Sequence, residues 1–297
     1  MLELYGQCRG AMVLLHGGAG GQDPKSPDAL QRATAALRTI ARHAISRLQA
    51  GENPLDVTVE CLKAMELDEQ FNAGRGAALQ ADGQARLTAA LMEGGESKFS
   101  GVISVSYLTH PSILAKHLQT RTARVLTSPG PELLARHLGL PVESDLAPAR
   151  VQRWAERAAR GETFCDTVGA LVRGRDGRLY AGTSTGGRGF EFPGRVSDSG
   201  TVAGTYCSPF AGISATGVGE EIVDDAVAAR LETRRRDGAS LERASRLCFA
   251  EAVARARSYG WIAHDKDGYW GVAHTTPSMS FVVVGETEGE VAASTSS

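Results

Sequence analysis

Residues 167–184 contain the strongest fold signal in the chain. Thr167–Val172 is an apolar, β-branched run, Gly-Arg-Asp-Gly at 174–177 is a turn, and Arg178–Ser184 is a second strand-like run. Two such runs around a glycine turn read as an antiparallel hairpin. The pattern recurs: Trp261–His264 and Tyr269–His274 flank Asp-Lys-Asp-Gly, and residues 201–206 and 211–215 are further strand candidates, as is Phe281–Gly285 before a polar tail. Leu87, Ala89 and Leu91 alternate like a strand, and Gly101–Leu108 is another. Met12–Leu15 is a short buried run that breaks into a glycine turn at His16-Gly17-Gly18.

Helical runs also come in adjacent pairs. Leu30, Ala33, Leu37, Ile40, Ala44, Ile45 and Leu48 recur at helical spacing, with Asp28 placed to cap the start and Gly51 to stop the run. Pro54 opens a second helix through about Leu67. Residues 111–165 read as mainly helical with breaks at Pro129, Pro131, Pro141 and Pro148, and residues 143–149 as a mobile linker. Two more helices are expected at about 219–236 and 240–258, the first ending in Arg234-Arg235-Arg236 on a solvated face. Hairpins and helix pairs together predict antiparallel sheets covered by helix layers and disfavour a parallel βαβ sheet.

Composition narrows the partners. A net charge of -2 gives no reason to expect nucleic acid or an anionic membrane. No apolar run reaches the length of a membrane span, and the first residues lack the layout of a signal peptide, so a cytoplasmic location is the default. Cys8, Cys61, Cys165, Cys207 and Cys248 are odd in number, without CxxC spacing, and read as free thiols.

Four clusters carry chemistry. His16-Gly17-Gly18-Ala19-Gly20-Gly21 follows a strand but lacks the order of a phosphate loop; alone it is a tight turn. Phe164-Cys165-Asp166-Thr167 offers a strand-leading threonine, ordinarily just a β-former, and a thiol with no assignable histidine partner. Thr183–Gly187 followed by Arg195 and Asp198 packs hydroxyls, glycines and an opposite-charge pair that suits a zwitterion as readily as it makes a surface ion pair. Thr216-Gly217-Val218-Gly219-Glu220 is a strand end entering a helix, whose amides suit an oxyanion.

Taken together these clusters resemble the plant-type (type 2) asparaginases and isoaspartyl peptidases, which are N-terminal-nucleophile hydrolases. The resemblance is carried, in order, by residues 16–20, Phe71-Asn72-Ala73-Gly74-Arg75-Gly76, Asp166–Ala170, Thr183–Gly187, Gly194-Arg195-Val196 with Asp198-Ser199, and Thr216-Gly217 with Gly219-Glu220. It implies an α+β fold: a four-layer αββα sandwich, two mainly antiparallel sheets between helix layers. It implies one domain over 1–297 that cuts itself between Asp166 and Thr167 into an α subunit, 1–166, and a β subunit, 167–297, with His16, Gly17 and Gly18 positioning the scissile peptide.

Thr167 is then the catalytic nucleophile. A free α-amine has a reference pKa of roughly 7.7–8, so it can take the hydroxyl proton without a histidine. By the same resemblance Thr185 tunes that hydroxyl, Thr216 and Gly217 stabilise the oxyanion, and Asn72 assists. Arg195 binds the substrate carboxylate and Asp198 its ammonium, with Gly219 lining that end. The implied substrate is a small molecule, L-asparagine or a β-aspartyl dipeptide, and the implied assembly a dimer of αβ units. No cofactor is implied, and no metal beyond a structural sodium ion near Met65–Glu69, where the family's sodium loop lies. A glycosylasparaginase-like enzyme and an uncleaved, non-enzymatic relative are the alternatives. Several positions depart from the pattern: Thr88 stands where the family has Asp, Ser197 where it has Gly, residues 200–204 are short, and His274–Pro277 replaces Phe-Asn-Thr.

Overall fold

The computed structural model describes residues 1–20, 28–143, 145–158 and 167–294. Two sheets face one another. The larger runs β13(Gly289–Ala293)–β12(Ser278–Gly285)–β2(Met12–Gly20)–β6(Val168–Arg173)–β7(Leu179–Thr185)–β3(Leu87–Glu93)–β4(Lys98–Val105)–β5(Val125–Thr127). The smaller runs β1(Leu2–Gln7)–β11(Tyr269–His274)–β10(Tyr259–Asp265)–β9(Ala211–Gly217)–β8(Thr205–Cys207). Every pair is antiparallel except β4–β5.

Helices cover both outer faces. The amphipathic α1(Ala29–Gln49) and α2(Pro54–Leu67) bury Leu37, Ala41, Val57 and Leu62 against Val13, Leu15, Ala170 and Val172 of the large sheet. α3(Pro111–Leu118) packs Leu114 and Leu118 over Ala89 and Val102. α6(Gly219–Asp225), α7(Val227–Arg236) and α8(Leu241–Ala254) cover the small sheet through Ile222, Leu231 and Ala244 against Ile213 and Trp261. Between the sheets Met12, Leu14, Leu171, Ile262, Val272 and Phe281 form a third core. The αββα sandwich expected from sequence is the observed architecture.

Local departures have physical causes. Residues 16–20 extend β2 and do not turn away: β12 pairs with them on one side, and at His16 β6 pairs on the other. The glycines there permit a register shift between Ser280 and Phe281, with Gly18 at φ 117°. Asp28 precedes α1, but its side chain makes no cap bond and pairs with Arg32 instead. Pro111 and Pro148 open α3 and α5(Pro148–Ala158), and Pro131 lies in the first turn of α4(Gly130–His137); at a first turn proline loses no hydrogen bond. The helix expected over 219–236 breaks at Ala226, whose left-handed φ of 46° separates α6 from α7.

The expected mobile linker over 143–149 includes Ser144, which lies outside the described residues; residues 145–149 are pinned, with Ala147 fully buried and donating its N–H to Arg75 O. The strand expected over 201–206 starts only at Thr205, because residues 201–204 form a turn. The polar tail holds β13, and Leu2–Gln7 pairs along β11 as an edge strand that the sequence did not announce. Arg235 is not merely solvated; it reaches the buried Asp265 carboxylate at 3.0 Å. Among the described residues Cys8, Cys61, Cys207 and Cys248 are free and buried, and no helix is long and apolar enough to cross a membrane.

Candidate active site

Thr167 leads into β6 at the end of the sandwich and is buried, with its Oγ1 donating to Thr185 Oγ1 at 3.2 Å. β6 and β7 form the hairpin expected from sequence, and its register sets Val168 beside Ser184, which brings the two threonines together. Thr185 Oγ1 also accepts the Gly187 N–H at 3.0 Å, so a backbone bond fixes the oxygen that accepts the Thr167 hydrogen bond.

Alternation along the strands puts a second tier of hydroxyls behind this pair. Thr183 and Thr185 share one face of β7, and Ser214 and Thr216 share one face of β9. His16 Nε2 meets Ser214 Oγ at 2.8 Å, Ser214 meets Thr183 Oγ1 at 2.9 Å, and Thr205 Oγ1 reaches Thr183 at 2.6 Å. These groups are buried, as the chain continues to the Ser199 carbonyl, 3.1 Å from Thr205 Oγ1. Burial pushes the His16 imidazole down to about 3, with the Thr167 backbone opposing, so the ring is neutral. Gly169 must lack a side chain: a Cβ would overlap the His16 ring and the Ser214 hydroxyl.

The glycine-rich stretch of β2 serves two neighbours. At Gly17 a Cβ would overlap the Phe71 ring and stand 2.7 Å from Ser280 Oγ, so this glycine makes room for the residue before Asn72. Ala19 N–H donates to Thr216 Oγ1 at 3.2 Å, which leaves the Thr216 hydrogen for another acceptor. Gly217, at φ 131°, tolerates no side chain, since a Cβ would lie 2.5 Å from Tyr259 Cα.

Asn72 is held from both sides. Its Nδ2 donates to Gly187 O at 2.6 Å, its Oδ1 accepts Ala78 N–H at 2.7 Å, and its own carbonyl accepts Gly186 N–H at 2.9 Å. Thr88, the departure from the family pattern noted in the sequence, lies beside Thr185 in the β3–β7 register, and its Oγ1 accepts Ser104 N–H at 3.3 Å.

Arg195 and Asp198 come together over Gly219. A Cβ on Gly219 would stand 2.5 Å from Arg195 Nη2 and 2.7 Å from Asp198 Oδ1, so the glycine leaves a slot bounded by one cation and one anion. Arg195 Nε is braced by Glu220 Oε1 at 2.8 Å. Asp198 is buried, which raises its carboxyl from 3.8 to about 6 against the opposing pull of Arg195 and the Ser197 hydroxyl. Ser197 Oγ donates to Asp198 Oδ1 at 3.2 Å, while Oδ2 has no partner among the described residues. The structure therefore gathers Thr167 with Thr185, Thr216 with Ala19, and Arg195 and Asp198 with Gly219. Asp166, Cys165 and Gly21 lie outside the described residues.

Sequence analysis placed Thr183 in a motif without a role of its own and did not single out Ser214 or Thr205. Paired hydroxyls two apart, at 183 and 185 and at 214 and 216, were the available signal, because a buried strand face rarely carries them without partners.

The loop after α2 was the expected seat of a cation. Its carbonyls do converge: Glu66 O and Thr109 O crowd Gly74, and Glu69 O and Phe71 O crowd Gly76. Two other carbonyls of the loop are engaged, Asp68 O by Phe71 N–H at 3.1 Å and Ala73 O by Gly76 N–H at 3.0 Å. Among the described residues no group of three His, Cys, Asp or Glu side chains could hold a metal.

Comparison with known proteins identifies a family for the chain. The asparaginase family model matches residues 9–294. The isoaspartyl peptidase/L-asparaginase of Synechocystis is 37% identical over 283 residues, covering 90% of this chain and 85% of that protein. The isoaspartyl peptidase of Salmonella typhimurium is 33% identical over 90% of this chain and 97% of its own. The plant-type L-asparaginase of Pyrococcus horikoshii is 29% identical over 91% and 94%.

Proposed function

The chain belongs to the asparaginase family, and from that premise we propose that it is a hydrolase of L-asparagine and β-aspartyl (isoaspartyl) dipeptides that first cuts itself before Thr167. In this reading one domain, 1–297, becomes an α subunit, 1–166, and a β subunit, 167–297. The observation that carries it is the buried Thr167–Thr185 hydroxyl pair at 3.2 Å, at the head of a strand and beside Asn72's loop.

Self-cleavage starts with Thr167 Oγ attacking the Asp166 carbonyl carbon. The C–N bond breaks as the C–O ester forms, the nitrogen keeping its electron pair and taking the proton that Oγ gives up, to become the Thr167 amine. Water then hydrolyses the ester, giving a carboxylate on Asp166 and restoring the Thr167 hydroxyl. His16 is neutral at working pH and orients Ser214 and, through it, the hydroxyl chain.

Turnover uses the new amine as base. It takes the Oγ proton as Oγ attacks the side-chain amide carbon of substrate, and the negative oxygen is met by the Thr216 hydroxyl and the Gly217 N–H. Such donors are typically worth roughly 3–4 kcal/mol each. The ammonium returns its proton to the departing nitrogen, leaving a β-aspartyl ester on Thr167, which water hydrolyses. Arg195 takes the α-carboxylate and Asp198 the α-ammonium; Gly219 leaves the room. The bonds broken and formed balance among Thr167, the scissile peptide or substrate, and water, so the reading asks for no cofactor. The same reading expects a dimer of αβ units in the cytoplasm, with neither nucleic acid nor membrane as partner.

The test is release of ammonia from asparagine and of free amino acid from β-aspartyl-leucine by purified protein, with Thr167→Ala as control. Release by the wild type and none by the variant supports the reading; equal release by both rejects Thr167 as the nucleophile.

A further inference from the structure

Arg150, half-buried in the first turn of α5, points its guanidinium at three consecutive backbone carbonyls. Its Nη2 lies 2.9 Å from Glu69 O, 3.1 Å from Gln70 O and 3.3 Å from Phe71 O. Oxygens that share a centre repel unless positive charge stands among them, and a guanidinium supplies it without the dehydration a metal ion must undergo. The next residue in the chain is Asn72.

The same short segment is fastened to that loop at two more points. Arg75 pairs with Asp145 at 3.4 Å, and Arg75 O accepts the N–H of the buried Ala147 at 2.9 Å. Further along α5, Trp154 Nε1 donates to Gln80 O at 3.0 Å and its ring stacks on Phe190 at 6.1 Å. Asn72 bridges the two loops so clamped, through Gly187 O and Ala78 N–H. Movement of the 69–71 turn would thus move the Asn72 amide directly.

We propose that Arg150 is the positioning residue for Asn72: it provides, from the chain itself, the cation that the 69–71 carbonyl turn requires, so that no alkali ion is needed there. The proposal rests on the reading in which Asn72 serves the chemistry of Thr167. It turns the expectation of a sodium ion into a statement about a side chain. An ammonium at the same position keeps the charge and loses the planar fork, so Arg150→Lys is a partial substitute and Arg150→Ala none.

The experiment compares full-length wild type, Arg150→Ala and Arg150→Lys in sodium, potassium and choline chloride at equal ionic strength. It reads Tm, self-cleavage rate, and kcat and KM for asparagine. The wild type is expected to be indifferent to the cation in all readouts. Arg150→Ala should lose about 10- to 100-fold in self-cleavage and kcat, the scale of a misplaced catalytic group, with KM little changed. Its Tm in choline should rise when sodium replaces choline, and Arg150→Lys should recover most of the loss. A wild-type Tm that falls on removing alkali ions overturns the proposal, as does an Arg150→Ala protein with wild-type cleavage and kcat, or one whose Tm ignores sodium. The Tm comparison holds even for a protein without activity, so a wild type that neither cleaves nor releases ammonia defeats the functional reading alone.

Discussion

The backbone N–H of Ala19 donates to the hydroxyl oxygen of Thr216 at 3.2 Å, tying the glycine-rich strand of the large sheet to the end of β9 in the small one. With its oxygen so engaged, Thr216 has its hydrogen to offer to an oxyanion. Thr216→Val removes that donor and leaves Ala19 N–H unpaired. The expected result is a fall of about 10²- to 10³-fold in kcat for asparagine with KM nearly unchanged, while Thr216→Ser keeps most of the rate. Steady-state kinetics on the cleaved protein decides it; a Thr216→Val enzyme within a few-fold of wild type removes Thr216 from the oxyanion site.

Gly169→Ala forces a methyl group into the His16 imidazole and the Ser214 hydroxyl, neither of which can retreat from the space between the sheets. Overpacking of this kind costs about 1–3 kcal/mol. The expected outcome is a lower Tm together with slowed self-cleavage, since Thr167 lies two residues away. A variant that matches wild type in both would show that the His16–Ser214 contact is soft.

Asp198 gives substrate binding a pH limit. Its carboxyl, raised to about 6, must be ionised to hold an ammonium, so KM for asparagine should climb as pH drops below about 6. Stability runs the other way. Between 3.8 and about 6 the folded chain holds a proton that the unfolded chain has released, so folding weakens as pH rises through that window. That displacement corresponds to at most about 3 kcal/mol, and Asp198→Asn should therefore raise Tm at pH 7.5 while abolishing saturation by asparagine. A lower Tm at that pH would contradict a buried carboxylate whose Oδ2 has no partner among the described residues.

Gly219→Ala fills the slot between Arg195 and Asp198, 2.5 Å from one and 2.7 Å from the other. Turnover should be lost through KM, with self-cleavage untouched because that reaction uses no free substrate. Loss of self-cleavage in this variant would mean that the slot and the scissile peptide are coupled.

Much of this arrangement was legible where its cause was local. The β6–β7 hairpin has a glycine turn and β-branched flanks, and α2 has Pro54 at its first position with Asn53 accepting Leu55 N–H at 2.9 Å. What escaped depended on distant partners. Glycines 17, 18 and 20 argue for a turn on propensity, but β12 pairs with His16, Gly18, Ala19 and Gly20, skipping Gly17, and turns the run into strand. Leu2–Gln7 has no strong pattern of its own and is a strand because β11 offers an open edge. Of the site, the motif threonines and the Arg195–Asp198 pair were recoverable from order along the chain. The bonds that Ser214 and Arg150 make were not, because they arise from which strand or loop happens to face them.

The central claim is that Thr167 becomes a chain terminus and uses it. The most direct measurement is the intact mass and N-terminal sequence of the denatured protein after incubation. The account predicts two chains, of 166 and 131 residues, the second beginning Thr-Val-Gly-Ala, and a single full-length chain for Thr167→Ala. A wild-type protein that stays at 297 residues while hydrolysing asparagine, or one cut at any other bond, would contradict it.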